Sequence, residues 1–216
     1  MKELLQKIKT HKIVVIMRAI SPEKILPVTQ ALYDGGIRLI EITYNQSDPK
    51  HLEVTGNAIK AVSQNFKDMH VGAGTVITPQ QLETTFKSGG EFVVSPNMDA
   101  GIIKKTVEMG MVSIPGALTP SEIVTAHSAG AHFVKLFPGG EFGPGYLKAI
   151  TAPLNHIPIL VVGGVDSNNM AEFLKAGAAG FGIGSNIVDK KLIDSENYTE
   201  LTALAKTYTK QFEVQT

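Results

Sequence analysis

TPSEIVTAHSAGAHFVKLFP, residues 119–138, carries the repeating unit of this chain. Thr119 is a helix-capping type, and Pro120 suits the first helical position, where a missing N–H costs nothing. An apolar-periodic stretch follows and stops at Gly130, which tolerates the left-handed conformation of a helix end. Within three residues an apolar run begins, Phe133–Phe137. Helix, glycine, strand is the tight connection of a parallel sheet with right-handed crossovers.

The same order returns on both sides. Ser21-Pro22-Glu23, Thr78-Pro79-Gln80 and Ser167-Asn168 are further helix starts, and Gly35-Gly36, Gly89-Gly90, Gly110 and Gly177 are further helix ends. Strands are expected at Ile13–Arg18, Leu39–Thr43, His70–Gly74, Phe92–Ser95, Val112–Pro115, Phe133–Phe137, Ile159–Val162 and Gly180–Gly184. Runs such as Val14-Val15-Ile16 and Ile159-Leu160-Val161-Val162 are continuously apolar, as parallel strands covered on both faces require. Eight strand–helix units in 216 residues favour a (β/α)8 TIM barrel, one domain over residues 1–216. An open, doubly wound sheet is the structural alternative.

Composition narrows the function. Hydrophobic residues at 43% and charged residues at 19% suit a globular protein with a sizeable core. Twenty basic side chains balance twenty acidic ones, so no basic surplus invites nucleic acid or an anionic membrane. Cysteine is absent, which removes thiolate nucleophiles and cysteine-held metals and suits a reducing, cytoplasmic setting. The N-terminus MKELLQKIKTHK has no uninterrupted apolar stretch and does not read as a signal peptide. No run of about 18 apolar residues suggests a membrane span. The six histidines lack metal-site spacing, which argues against a zinc-dependent enzyme, and no dinucleotide or P-loop fingerprint occurs.

Barrel enzymes carry their chemistry at the C-terminal ends of strands. Lys135 lies among apolar neighbours, and a period of two puts it on one face with Phe133 and Phe137. The branched aliphatics Val134 and Leu136 suit the layer under the helices, which turns the lysine inward. A poorly solvated ammonium loses its proton readily, and a neutral amine adds to ketones to give an imine, an electron sink for cleaving the β-carbon bond. The plainer alternative is a lysine that snorkels to the mouth or pairs with a buried carboxylate. Glu41 shares a face with Leu39 and Thr43, and is either an ion-pair partner or a general acid/base. Arg18 ends the first strand and either clamps an anionic group or covers the rim. Thr75 follows Gly74 at the end of the third, where a threonine alone is usually structural. The loops Val162-Gly163-Gly164 and Gly184-Ser185 follow the seventh and eighth strands, where glycines admit an anion to the backbone and Ser185 can cap a helix.

On these residues the sequence resembles the family of 2-keto-3-deoxy-6-phosphogluconate (KDPG) and 2-keto-4-hydroxyglutarate (KHG) aldolases, over nearly the whole chain. Phe133-Val134-Lys135-Leu136-Phe137-Pro138 resembles the family's Schiff-base segment, and Gly36-Ile37-Arg38-Leu39-Ile40-Glu41-Ile42-Thr43 its acid/base segment. Val71-Gly72-Ala73-Gly74-Thr75-Val76 resembles the stretch whose threonine contacts the pyruvate moiety. Arg18 falls on the first-strand arginine. Gly163, Gly164, Gly184 and Ser185 fall on the phosphate loops. The resemblance implies a cofactor-independent class I aldolase, typically a homotrimer, acting on a small keto acid. Cleavage would give pyruvate plus glyceraldehyde 3-phosphate or glyoxylate. Asn45 stands where the phosphogluconate enzymes often carry arginine, and Val162 where they often carry threonine. Both look more like the related phosphogalactonate aldolases and the bifunctional enzymes of the family, and Asn45 is a substrate-binding candidate. A barrel phosphosugar isomerase or epimerase, and a non-catalytic sugar-phosphate sensor, are the competing readings.

Overall fold

A computed structural model describes residues 1–212. Its strands are β1 (Ile13–Met17), β2 (Leu39–Thr43), β3 (His70–Gly74), β4 (Phe92–Val94), β5 (Val112–Ile114), β6 (Gly116–Ala117), β7 (Val134–Leu136), β8 (Ile159–Val162) and β9 (Gly180–Ile183). All pair in parallel, in the order β5-β4-β3-β2-β1-β9-β8-β7-β6. The two ends of that order, β5 and β6, are separated in the chain by Pro115 alone. Across that junction Lys135 N donates to Pro115 O at 2.8 Å, His132 N to Ser113 O at 3.0 Å and Phe137 N to Ala117 O at 3.1 Å. The sheet therefore closes on itself, and the barrel replaces the open-sheet alternative.

The run expected to stop at Pro115 continues to Ala117. Proline has no N–H to give to β4 and splits the ladder there without ending the strand direction. Other differences are single residues at strand ends: Arg18, Ser95, Phe133, Phe137 and Gly184 lie just outside the ladders.

Alternation sorts each strand between two cores. Outward residues such as Val15, Ile40, Val71, Val134, Val161 and Phe181 pack under the helices. Val14, Leu39, Phe92, Val112, Phe133 and Leu160 form a second cluster inside the barrel, completed by Leu4 and Ile8. These last two belong to α1 (Lys2–His11), which precedes β1 and so closes the N-terminal end. The charged N-terminal stretch gave no expectation of this helix, because only one narrow stripe of it is apolar. Each of these two side chains contributes about 1.5–3 kcal/mol on burial.

Between the strands run α2 (Ile25–Asp34), α3 (His51–Asn65), α4 (Pro79–Lys87), α5 (Ala100–Glu108), α6 (Pro120–Ser128), α7 (Gly139–Thr151) and α8 (Met170–Lys175), and α9 (Lys190–Asp194) and α10 (Tyr198–Thr209) follow β9. The expected helix ends Gly36, Gly89, Gly110, Gly130 and Gly177 all have positive φ. Thr78 and Thr119 each form a reciprocal capping box, with Gln81 and Glu122. Ser21 leads into a short 3-10 turn, Pro22–Lys24, ahead of α2. Ser167-Asn168 does not cap α8. The Asp166 carboxylate accepts from Asn168 N and Asn169 N instead, and the helix starts at Met170.

Thr119→Ala removes the hydroxyl that accepts from Glu122 N. Loss of this cap should cost about 1 kcal/mol. Urea unfolding checks it as a lowered midpoint at unchanged slope.

Candidate active site

Lys135 is the middle residue of β7, 6% exposed, flanked by the outward-packed Val134 and Leu136. Its Nζ lies 4.8 Å from the centroid of the Phe137 ring. Burial pushes the ammonium pKa down; Glu41 opposes that, and the Arg18 guanidinium adds to it, leaving it below the ordinary lysine range. Glu41, on the inner face of β2, is 2% exposed. Burial pushes its carboxyl up, against the pull of Lys135 and Arg18. Among the described residues no ion pair within 4.0 Å joins the two side chains. Each group feels the other's field, yet desolvation wins for both and drives each toward its neutral form. That arrangement can supply an uncharged amine to a carbonyl carbon with a proton carrier alongside.

Gly74 makes the position of Glu41 available, and the sequence reading passed over it. A Cβ on Gly74 would overlap Glu41 Oε1, with Glu41 Cδ at 2.9 Å and Thr43 Cγ2 at 2.8 Å. A glycine inside a strand is the signal that something must approach closely. Gly74→Ala should displace the carboxylate and destabilise the protein by about 1–3 kcal/mol. Turnover should fall together with the urea midpoint.

A cavity of about 440 Å³ opens at the C-terminal mouth. The structure brings six expected residues to its wall besides Lys135: Arg18, Thr75, Gly163, Gly164, Gly184 and Ser185. Glu41 is buried on the inner face of β2 beside Gly74, within the electrostatic reach of Lys135. Thr75 has φ 59, a conformation costing a β-branched residue on the order of 1–3 kcal/mol. Gly163 and Gly164 have φ 83 and 73, and Gly164 Cα is packed against Gly140, so only glycine fits this turn. The N–H groups of Gly164, Val165, Ser185 and Asn186 find no acceptor among the described residues. Ser185 does not cap a helix: Gly184 O closes one turn by accepting from Ile187 N and Val188 N, and Asp189 caps α9. Pro96, Phe137, Val188 and Lys190 also line the cavity; Ser95-Pro96 reads from the sequence as a rim element without a chemical role and Phe137 shares a face with Lys135, whereas Val188 and Lys190 carry no local signal.

Asn45 does not reach this cavity. After Thr43 the chain turns outward, Tyr44 is buried against α4, and Asn45 Oδ1 accepts from Ser47 N at 3.2 Å in a tight turn. Asn45 lines a separate space of about 280 Å³ with Thr43, Asp48 and His51. The resemblance that made Asn45 a candidate rests on its distance from Glu41 in the chain, but the β2 ladder ends at Thr43, and beyond it strand alternation no longer fixes where a side chain points. Val162, by contrast, lies on the wall beside Lys135. Among the described residues no three His, Asp or Glu side chains converge on a possible metal position, and no helix is long and apolar enough to cross a membrane.

The family model for KDPG and KHG aldolase matches residues 4–204. The chain is 36% identical to the 2-dehydro-3-deoxy-6-phosphogalactonate aldolase of Escherichia coli K12, over 81% of this chain and 83% of that protein. It is 30% identical to the 2-dehydro-3-deoxy-phosphogluconate aldolase of Haemophilus influenzae, over 95% and 94% respectively. Among solved structures it resembles a Legionella pneumophila KDPG aldolase holding pyruvate as a covalent carbinolamine. That match has 28% identity and a TM-score of 0.82, over 92% of this chain and 94% of that one. The protein is thus a barrel enzyme of the carbon–carbon lyase class, an aldolase. The chain belongs to the KDPG and KHG aldolase family.

Proposed function

We propose that this protein is a class I aldolase that cleaves a 2-keto-3-deoxy-6-phospho sugar acid, 4-hydroxy-2-oxoglutarate, or both, through an imine on Lys135. The observation that carries this reading is an amine driven toward neutrality by burial on the wall of the cavity, in the field of a buried acid. Nitrogen adds to the C2 carbonyl to give a carbinolamine, and loss of water gives a protonated imine. The new cation stands where the neutral amine stood. In a poorly solvated site it draws Glu41 toward its carboxylate form, so imine formation itself arms the base. Glu41, directly or through a water, takes the proton of the C4 hydroxyl. The C3–C4 bond breaks, its electrons pass into the enamine, and the aldehyde leaves. Glu41 returns a proton to C3, and hydrolysis frees pyruvate and the lysine amine.

Arg18 and Thr75 hold the substrate carboxylate in this reading. The phosphate takes the amides around Gly163, Gly164, Gly184 and Ser185, whose freedom from internal partners supports an anion there. Asn45 is left out of the binding set, since it opens on a different space. Residues 1–216 act as one catalytic domain without metal or organic cofactor.

A second reading, the 6-phosphogalactonate epimer as substrate, is favoured by the relatives named for that activity, at 36% and 37% identity against 30% to 32% for those named for the gluconate. Val162 on the cavity wall fits this reading and equally a bifunctional enzyme. Steady-state comparison of the gluconate, galactonate and hydroxyglutarate keto acids, with pyruvate read by a coupled dehydrogenase, ranks the substrates. Conversion to an epimer or ketose without pyruvate would overturn both readings. A cytoplasmic homotrimer accompanies this function. Supporting it are the cysteine-free composition and apolar side chains such as Phe86 and Phe142 left exposed on the subunit. Light scattering on the purified protein tests the subunit count.

A further inference from the structure

Thr75 sits on the cavity wall in a backbone conformation that a β-branched residue does not adopt unaided. Something around it must over-determine that geometry. On its far side Gln46 Nε2 donates to Thr75 O at 2.9 Å. Gln46 Oε1 in turn accepts from Gln81 Nε2 at 2.8 Å, and Gln81 is fully buried. Gln81 Oε1 accepts from Ile77 N at 2.8 Å and Thr78 N at 3.2 Å, the residues just past Thr75. The second Gln81 N–H is directed at His51 Nδ1, 3.3 Å away.

The direction of this relay is forced. Thr75 O can only accept, and the Ile77 and Thr78 amides can only donate, so the two ends fix both glutamine side-chain amides. All four valences of the Gln81 amide are then used. Gln81 is also the third residue of the capping box that starts α4. Capping needs only its oxygen, and glutamate would serve there equally well. The donating half of the amide exceeds what a helix start requires. It holds Gln46, and Gln46 holds Thr75.

We infer that Gln46 and Gln81 are positioning residues for Thr75, a two-amide brace that presets the end of β3 for the carboxylate of the bound keto acid. The inference rests on Thr75 contacting the pyruvate moiety, as proposed above. Gln46 is exposed and sits in the β2–α3 loop, so its removal opens no core. In Gln46→Ala the brace is cut, and Thr75 O loses its donor. In Gln81→Glu the cap survives with an isosteric side chain, but the donor to Gln46 is gone. If Gln46 flips to donate to that new carboxylate, its own oxygen then faces Thr75 O.

The test is borohydride trapping of pyruvate on the full-length protein, following adduct mass against pyruvate concentration, with thermal unfolding in parallel. Gln46→Ala should need roughly five- to tenfold more pyruvate for half-maximal trapping, the worth of about one hydrogen bond, while Tm falls by only about 2–4 °C because Gln81 keeps its capping bonds. Gln81→Glu should show the same shift, and the double variant should be no worse than either single one, because both cut one chain of contacts. Unchanged half-saturation in Gln46→Ala would overturn the brace, as would a Gln81→Glu protein whose Tm falls while its half-saturation stays at the wild-type value. If the wild-type protein itself acquires no adduct, the imine reading fails. That outcome is distinct from a wild type that traps normally beside variants that trap equally well.

Discussion

Lys135→Ala protein mixed with pyruvate and borohydride will gain no mass, and its release of pyruvate from substrate will fall at least about 10⁴-fold. Losing a nucleophile removes the covalent route altogether and leaves only binding and electrostatics behind, which is why so large a factor is expected. Intact-mass spectrometry and the coupled dehydrogenase assay read the two effects separately. A retained adduct, or one carried by another lysine in the wild type, would end the mechanism proposed here.

Removing this lysine also tests its burial by a second route. Its folded-state pKa lies below the ordinary value, so the native protein disfavours the charged form that the unfolded chain prefers at neutral pH. The stability linked to Lys135 is therefore fully present above the unfolded lysine pKa of about 10.4 and lost as pH falls through the lowered one. Lys135→Met, of similar length and uncharged, should be more stable than wild type at neutral pH by about 0.5–2 kcal/mol. The gain should vanish toward pH 10. Denaturant midpoints measured across that range would contradict the reading if the two proteins tracked in parallel.

The second large effect belongs to Glu41→Gln. Pyruvate should still be trapped on Lys135, because the amine and the cavity remain. Turnover should nevertheless drop about 10²–10⁴-fold, the usual worth of a positioned proton carrier. The split between retained trapping and lost cleavage is the diagnostic; equal loss of both would reduce Glu41 to a structural role. Burial raises this carboxyl, so the stability tied to it is full below the ordinary carboxylate range and lost as pH rises through the raised value. Glutamine carries no charge to desolvate, and the variant should lack that decline.

Local patterns in the chain located the strand–helix units and favoured the barrel, leaving closure itself to the structure. Caps at Thr78 and Thr119 and left-handed glycines such as Gly130 act within a few residues of themselves, so they can be read without knowing what lies across the sheet. The same holds for Lys135 and Glu41: a charge within an apolar run shows by alternation alone which face it shares. What alternation cannot report is the partner across the barrel. That Gly74 must lack a Cβ for Glu41 to fit, and that Gln81 reaches Thr75 through Gln46, depends on residues 33 and 35 positions apart meeting in space.

Asn45 and Ser167 mark two positions that lie outside the reach of such inference. Asn45 is a binding candidate only through resemblance to a family position four residues after the glutamate, and in this chain it follows the end of the β2 ladder and lines a different space. Ser167 was read as a cap when a neighbouring carboxylate, Asp166, lies closer to the free amides. Chain order thus carried the elements, their direction and the inward charges, because hydrogen-bond geometry and side-chain alternation are short-range. The distances between those charges, their departure from ordinary pKa values and the strained end of β3 arise from closure of the sheet, which removes water and brings remote strands together.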